Sequence, residues 1–407
     1  MRRTWFVVML AVPGMAQQAL TLAELERMAV AASPGLAQSQ SEVRAAAGRA
    51  LQAGLYPNPV VGASGDHVAG GPVLRGGDLG GFVEQRVVMA GKLWLQRGAA
   101  EQGRVAAGHM QEAERLRVLI TIRELYYRAL GEQQIVAARQ DMAEVASRTA
   151  KTRRELANLG QADRPDVLAA DIEAQRAELG VTMARNALDR TWREIAAVVG
   201  RSDLAASRLD GDFEAVPKVD AEAALAAINA GNPELLAADA NRAGADLQLR
   251  RARVENIPDI MVRGGVRYNR ELIAPGEAIG TEGFFDIGVQ IPLFNRNQGA
   301  IAAAGAEAER ARLQGRRERL ALTRRFAGVY KEYRDAVDAA ARYRDSMIPA
   351  AREAYEMYVG NFANMAAPYP QVLTAQRNLF QLQEDYVTAL IAAWRSAVAI
   401  EGLLVME

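Results

Sequence analysis

The sequence contains no cysteine and only two histidines, His67 and His109, among its 407 residues. Without cysteine the chain has no disulfide framework, no thiolate metal site and no lipidated N-terminal cysteine. Neither histidine has a second ligand four residues away, so a metal site within one chain is not expected. Met347, Met357 and Met365 are interpreted as packing residues, because soft-metal sites need thioethers clustered in space. We therefore predict no metal site and no cofactor.

Long apolar runs are also absent: no segment approaches the twenty or so apolar residues that a membrane-spanning helix needs. Near the N terminus, Arg2 and Arg3 precede a short apolar run, Trp5 to Val12, and the run is followed by small residues up to Ala16. This pattern predicts a secretory signal peptide over residues 1–16, cleaved after Ala16. If the protein lies in a membrane, it must cross with β-strands, which indicates an outer membrane of bacterial type.

Neither sign of charge is in excess, since 49 Lys and Arg balance 49 Asp and Glu. Loss of Arg2 and Arg3 with the signal peptide leaves a slightly acidic chain, so nucleic acid is not expected as a partner. Aromatic residues make up only 6% of the chain, and alanine supplies much of its hydrophobic content, as in closely packed long helices. The glycine pairs at 62–65 and 76–77 lack the strand-then-helix setting of a dinucleotide site. We predict that the protein is not an enzyme.

Two segments rich in glycine and proline, Pro57–Lys92 and Pro258–Asn297, interrupt long helical sequence. In the second, apolar and polar residues alternate with a period of two, which predicts strands with one apolar face. The flanking helices provide no partner sheet, so we predict that lipid covers this face. The predicted lipid-facing residues are Ile260, Val262, Val266, Tyr268, Phe285, Ile287, Val289 and Ile291. The predicted helix–strand junctions are Pro57, Pro59, Pro258 and Pro292.

The remaining sequence predicts long helices. Thr21 and Glu24 form a capping-box pattern at the start of the first helix, and Ser33-Pro34 interrupts it. Residues Leu95 to Gly160 contain no proline and predict a helix of roughly 100 Å. Two apolar seams on nearly opposite sides of this helix predict neighbours on both sides. They are Val118, Ile122, Leu125 and Ala129, and Leu116, Ile120, Tyr127 and Leu130. Pro349 predicts a kink or local unwinding in the second long helix.

The two halves of the chain resemble each other at a constant spacing, which predicts an internal duplication. Pro34 matches Pro233 at an offset of 199 residues, and Pro165 matches Pro370 at an offset of 205. The predicted repeats are 17–219 and 220–407, each with a helix, a strand hairpin, a long helix, a tight turn and a returning helix. The hairpins fall at about 58–90 and 258–294, and the turns at about 160–165 and 365–370.

Four strands per chain are too few for a closed membrane barrel, and an open sheet edge in lipid leaves backbone groups unsatisfied. Closure therefore requires at least two chains, and three chains would supply twelve strands.

Several short motifs carry a resemblance to a known family. They are Ser33-Pro34-Gly35-Leu36, Asn232-Pro233-Glu234-Leu235, Tyr56-Pro57-Asn58-Pro59, Gln290-Ile291-Pro292-Leu293-Phe294 and Pro370-Gln371-Val372-Leu373. With them the chain resembles the TolC family of outer-membrane efflux proteins, and Pro57-Asn58-Pro59 with Glu84-Gln85 and Gly91-Lys92 is similar to the heavy-metal cation-efflux, or CzcC-like, branch.

The resemblance implies a mainly α fold with a β-barrel portion. Duplicated helical hairpins would form a periplasmic α-barrel, and four strands per chain would contribute to a twelve-stranded outer-membrane β-barrel in a homotrimer surrounded by lipid. It also implies an exit duct that works with a periplasmic adaptor (membrane fusion) protein and an inner-membrane pump of the RND type. Heavy-metal cations are one candidate cargo.

The resemblance further implies a channel aperture near the periplasmic turns. Asp163 and Asp166 flank the first turn, and three copies of each would form a cation-favouring ring. The second turn departs from the acidic pattern, with Tyr369, Gln371 and Thr374 in its place. Alternatively, the two aspartates favour the start of the returning helix through its dipole.

Two other functions stay open from sequence. One is a periplasmic adaptor or coiled-coil tether, but an adaptor is expected to have one hairpin between soluble β domains, whereas this chain has two hairpins and alternating strands. The other is an exit duct for type I protein secretion.

Overall fold

The computed structural model describes residues 20–66, 77–160, 162–274, 276–364 and 368–405. The expected signal peptide, His67, Gly76 and Met365 lie outside these residues. Within them the chain is mainly helical and has four strands, which confirms the predicted fold class.

The helices and strands follow the predicted order. The helices are α1 (Leu22–Ala32), α2 (Pro34–Ala53), α3 (Lys92–Asn158), α4 (Arg164–Val198), α5 (Ala221–Gly231), α6 (Pro233–Val254), α7 (Gln298–Arg342), α8 (Ile348–Ala363) and α9 (Tyr369–Glu401). The strands are β1 (Val60–Asp66), β2 (Asp78–Val87), β3 (Ile260–Ala274) and β4 (Glu277–Val289).

Helix starts and interruptions occur where local chemistry predicts them. At the start of α1, the Glu24 N–H donates to the Thr21 hydroxyl at 3.4 Å, and the Thr21 N–H donates to the Glu24 carboxylate at 3.1 Å. The break before Pro34 separates α1 from α2. A π-helical turn, Tyr343–Met347, ends two residues before Pro349, which confirms local unwinding there.

The long helix α3 contains 67 residues, which confirms the unbroken helix predicted from the absence of proline. Both predicted seams are buried over most of their length. Ile122 and Ala129 in one seam are fully buried, and Ile120 and Leu130 in the other are nearly so. The helix therefore has packing partners on opposite sides.

The chain divides into two compact units, and each combines segments from both halves of the sequence. Unit 1 contains the described residues of Met1–Leu36, Glu114–Ala230 and Leu322–Glu407, and unit 2 contains those of Ala37–Ala113 and Gly231–Ala321. The units therefore cut across the predicted repeats.

In unit 1, aromatic side chains hold the linker between α4 and α5. The Trp394 indole stacks on Tyr127 at 3.5 Å and donates to the Phe213 carbonyl at 2.8 Å. The Tyr333 hydroxyl donates to the Pro217 carbonyl at 2.7 Å and accepts from the Val219 N–H at 3.1 Å. These contacts satisfy backbone groups in a segment that forms no helix or sheet ladder of its own.

The half-buried carboxylate of Glu124 in α3 has one oxygen without a hydrogen bond. That oxygen, Oε1, is buried, and burial raises the pKa of Glu124 against the lowering effects of Arg395 and Arg128. Since the folded pKa lies above the unfolded value, the charged form is penalised in the folded state. The penalty is relieved as pH falls through the folded pKa.

We expect Glu124→Gln to stabilise the protein by about 1 kcal/mol at pH 7 to 8, because it removes a half-buried charge that burial penalises. The gain should shrink toward pH 5 and vanish below the unfolded pKa, where Glu124 is neutral as well. Thermal unfolding followed by circular dichroism checks this result. The exposed Glu155 in the same helix provides the control, since Glu155→Gln should leave the melting temperature unchanged at every pH.

In the described residues of unit 2, the four strands form one antiparallel sheet in the order β1-β2-β3-β4. β3 is the longest strand, with 15 residues. Pro57 and Pro59 lie between α2 and β1, Pro258 lies between α6 and β3, and Pro292 follows β4. None of the helices in the described residues has the length and apolarity required to cross a membrane.

Candidate functional site: a two-faced sheet and a helical turn region

The strand register places seven of the eight predicted apolar residues on one face of the sheet, whereas Ile291 lies beyond the end of β4 and has no partner in the register. Directly opposed residues of antiparallel strands point to the same side, and Ile260 opposes Val289 while Val262 opposes Ile287. Val266 and Phe285 share this face, and their exposed fractions are 61% and 65%. Several large apolar side chains are therefore accessible on one surface of unit 2.

The same apolar face continues across β1 and β2, which sequence alternation alone did not reveal. Val61 opposes Val83, and Val83 in turn opposes Gly264 next to Val262. Val61 and Val83 are both exposed. The glycines of the first hairpin weaken its alternation, and only the pairing with β3 shows which side each residue takes.

The opposite face of the sheet is polar and carries most of the charge in the strands. Its polar residues are Ser64, Asp66, Asp78, Glu84, Arg86, Arg263, Arg267, Asn269, Glu282 and Asp286. Five carboxylates and three guanidinium groups give this face a net charge of about −2 per chain. The sheet therefore has one apolar face and one charged face.

Two aromatic rings on the polar face hold Arg263. The guanidinium carbon lies 3.9 Å from the Phe82 ring centroid and 5.7 Å from the Phe284 centroid. Each ring lies over a glycine: a Cβ at Gly62 would be 2.6 Å from the Phe82 ring, and a Cβ at Gly265 would be 2.7 Å from the Phe284 ring. The glycines therefore make room for the rings that hold the cation.

A buried ionic cluster joins β2 and β3 where the helices give way to the sheet. Asp259 accepts from the Lys92 ammonium at 2.9 Å, from the Arg86 guanidinium at 2.5 Å and from the Met89 N–H at 3.1 Å. The Lys92 and Asp259 side chains are only 5% and 9% exposed. This cluster fixes the position at which α3 follows β2.

The predicted aperture residues lie at the starts of α4 and α9 in unit 1. Asp163 is the N-cap residue of α4, is exposed, and makes no side-chain capping bond, while Asp166 is half-buried in the first turn. Gln371 and Thr374 are exposed on α9, and the Thr374 hydroxyl donates to the Pro370 carbonyl at 2.8 Å. The side chains of Asp163, Gln371 and Thr374 are accessible to solvent and available to line an opening.

Tyr369, the fifth predicted aperture residue, is buried. It packs in a cluster with Ala150, Ala170 and Leu373, and the Arg153 guanidinium lies 4.4 Å from its ring centroid. The same guanidinium lies 4.3 Å from the ring of Phe362. Burial raises the pKa of Tyr369. In this conformation Tyr369 contributes packing between the ends of the helices.

A second contact at the turn region joins α4 to α9. The Arg377 Nε donates to a carboxylate oxygen of Glu173 at 3.0 Å, and its Nη2 atom contacts the other oxygen. The Glu173 side chain is 4% exposed, whereas that of Arg377 is 43% exposed. We call the Arg153–Tyr369 stack and the Glu173–Arg377 pair the turn-region latch. Sequence reasoning missed it, because 204 residues separate Glu173 from Arg377.

Within the described part of the chain, no group of three or more His, Cys, Asp or Glu side chains is arranged to hold a metal ion.

Comparisons with known proteins agree with this geometry. Residues 224–404 match the family described as "Outer membrane efflux protein". The chain is 24% identical over 387 residues to the "Cobalt-zinc-cadmium resistance protein CzcC" of Cupriavidus metallidurans, covering 95% of this chain and 90% of the relative.

Solved structures share the fold over nearly the whole chain. The outer-membrane channel OprN superposes with a TM-score of 0.77 at 17% identity, covering 95% of this chain and 90% of OprN. The outer membrane protein VceC of Vibrio cholerae superposes with a TM-score of 0.76 at 18% identity, covering 94% of this chain and 95% of VceC. The chain is therefore similar to outer membrane efflux proteins and has the TolC-like fold predicted from its short motifs.

Proposed function

We propose that three copies of this chain form an outer-membrane exit duct of a tripartite efflux system. The observation that carries the proposal is the two-faced sheet, whose exposed face presents Val61, Val83, Val266, Phe285 and Ile287 in register. Exposed patches of this kind mark a surface that another nonpolar phase covers. A lipid bilayer suits the patch, because the reverse face of the same sheet is charged.

The free edges of the sheet favour assembly with other copies. Among the strands that the structure describes, β1 and β4 each have one neighbour. Backbone groups at these edges would be unsatisfied in lipid, so a second copy is required to pair with them. Three copies would provide twelve strands, an even number within the observed range of outer-membrane barrels. The repeats 17–219 and 220–407 would then each contribute one hairpin.

The name of one relative suggests the cargo. That relative is named for cobalt, zinc and cadmium resistance, so we propose heavy-metal cations as the cargo here. A net negative polar face lining the duct supports this choice, because it attracts cations. In this proposal a periplasmic adaptor protein and an inner-membrane pump of the RND type deliver the cargo, and the pump supplies the energy.

A pore assay on the purified full chain tests the function. We expect a detergent-extracted trimer from the outer-membrane fraction that conducts ions in planar bilayers. A soluble periplasmic monomer would instead support the adaptor alternative and overturn the duct. Deleting the chain should lower resistance to zinc or cobalt salts, whereas loss of a secreted protein with unchanged metal resistance would indicate a type I secretion duct.

We also propose that the aperture is formed at the starts of α4 and α9, with Asp163 and Asp166 as its charged residues and Gln371 and Thr374 from the second turn. Tyr369, the other predicted aperture residue, is buried and packs the turn region without lining the opening. Replacing both aspartates with alanine should lower the preference of the pore for K⁺ over Cl⁻ about twofold, because six carboxylates are lost from three chains. Reversal potentials measured in a salt gradient check this result. Unchanged selectivity would indicate that the two aspartates only stabilise the start of α4.

A further inference from the structure

The three arginines on the polar face of the sheet make different contacts. Arg86 pairs with Asp259 at 2.5 Å, and Arg267 lies 3.2 Å from Glu282 and 3.7 Å from Asp78. Arg263 instead stacks on aromatic rings, and its Nε atom is buried without a hydrogen-bond partner. Carboxylates therefore balance the charges of Arg86 and Arg267. Arg263 is held by aromatic rings, which carry no opposite charge.

The residues beside Arg263 in the sheet are carboxylates. Glu84 opposes Arg263 on β2, and Asp286 opposes it on β4. Opposite charges so placed ordinarily pair, yet among the described residues neither forms an ion pair with Arg263 within 4.0 Å. The guanidinium lies over Phe82 and Phe284, one row further along the strands. One fixed cation and two available carboxylates therefore lie close together in each chain.

We infer that Arg263, Glu84 and Asp286 form a selectivity layer for divalent cations in the duct. This inference rests on the proposed function, which places the polar face around the water-filled passage. Three copies would contribute six carboxylates and three guanidinium groups. The carboxylates attract a hydrated divalent cation, and the fixed guanidinium groups weaken that attraction so that the ion is released.

A passage conducts an ion only if the ion is bound firmly enough to enter and weakly enough to leave. Six carboxylates alone would attract a divalent cation more strongly than the mixed layer does. The attraction between opposite charges is stronger at shorter distance. Arg263 offsets half of the carboxylate charge in the layer. The aromatic rings prevent it from collapsing onto one carboxylate, so both Glu84 and Asp286 stay available.

The test is single-channel recording on full-chain trimers in planar bilayers, with KCl as the conducting salt and Mg²⁺ as the probe. We expect Arg263→Gln to raise the K⁺/Cl⁻ permeability ratio about twofold and to lower the Mg²⁺ concentration that halves the current severalfold. Arg263→Lys should keep both values near those of the wild type, because the charge is retained. Arg193→Gln on α4 removes the same charge outside the sheet and should change neither value.

A second variant keeps the inference testable if Arg263→Gln fails to assemble. Glu84→Gln with Asp286→Asn retains the stacked arginine and should lower the permeability ratio and abolish the Mg²⁺ block. Normal trimers with unchanged selectivity in either variant would overturn the selectivity layer and assign Arg263 to sheet packing. A wild-type protein without conductance would instead overturn the proposed duct.

Discussion

Val266→Arg is expected to remove most of the protein from the outer membrane. Val266 lies near the middle of β3, on the apolar face, and is 61% exposed. In the proposed barrel its side chain contacts the hydrocarbon core, where an arginine costs about 2 to 4 kcal/mol per strand. Three chains would each bear this cost, so trimer in the outer-membrane fraction should fall by about tenfold or more. Immunoblots of unheated membrane fractions measure the change.

Ser64→Arg provides the matched control on the reverse face of the sheet. Ser64 opposes Gly80 on the polar face, where an added guanidinium would be solvated in the water-filled passage. Its trimer yield should stay close to that of the wild type. Equal losses for the two variants would show that arginine disturbs the sheet on either face, and equal yields would remove the support for a lipid-covered apolar face.

The contrast between the two hairpins shows how much of the sheet the sequence predicts. Alternation in β3 and β4 correctly predicted that Val262, Val266, Phe285 and Ile287 share one face, because side chains in a strand have a period of two. The first hairpin gave no such signal, since its glycines have no side chain to place on either face. Its apolar residues Val61 and Val83 became evident only through their pairing.

Local sequence patterns cannot predict the contacts that organise the charged sites. Arg263 is positioned by Phe82, which precedes it by 181 residues, and a ring over a glycine has no periodic signature. Lys92 and Asp259 are separated by 167 residues. The internal duplication predicted the two turns, but the helix packing that buries Tyr369 and Glu173 between them depends on tertiary structure.

Breaking the turn-region latch should open the proposed aperture. In Arg377→Ala the Glu173 side chain, which is 4% exposed, loses the arginine that forms two contacts with its carboxylate. Its remaining ion-pair partner is Arg176, whose guanidinium lies 3.7 Å from a carboxylate oxygen. Removing one partner of a buried ion pair costs about 3 to 5 kcal/mol. Because the pair joins α4 to α9, the cost falls on the packed arrangement of the turn region. We expect the open fraction in single-channel records to rise about tenfold or more.

A double variant with a neutral pair distinguishes an effect on the latch from a general loss of stability. In Glu173→Gln with Arg377→Gln the buried charge is gone, so the open fraction should return toward the wild-type value. Arg193→Ala breaks a pair on the same helix whose side chains are 80% and 56% exposed, and it should have little effect, since exposed pairs contribute about 1 kcal/mol or less. An Arg377→Ala channel that opens no more often than the wild type would show that Glu173 and Arg377 stabilise the helices without closing the duct. If the channel of the double variant stays open, an unpaired charge on Glu173 does not explain the opening alone. The hydrogen bonds between Glu173 and Arg377 then hold α4 against α9.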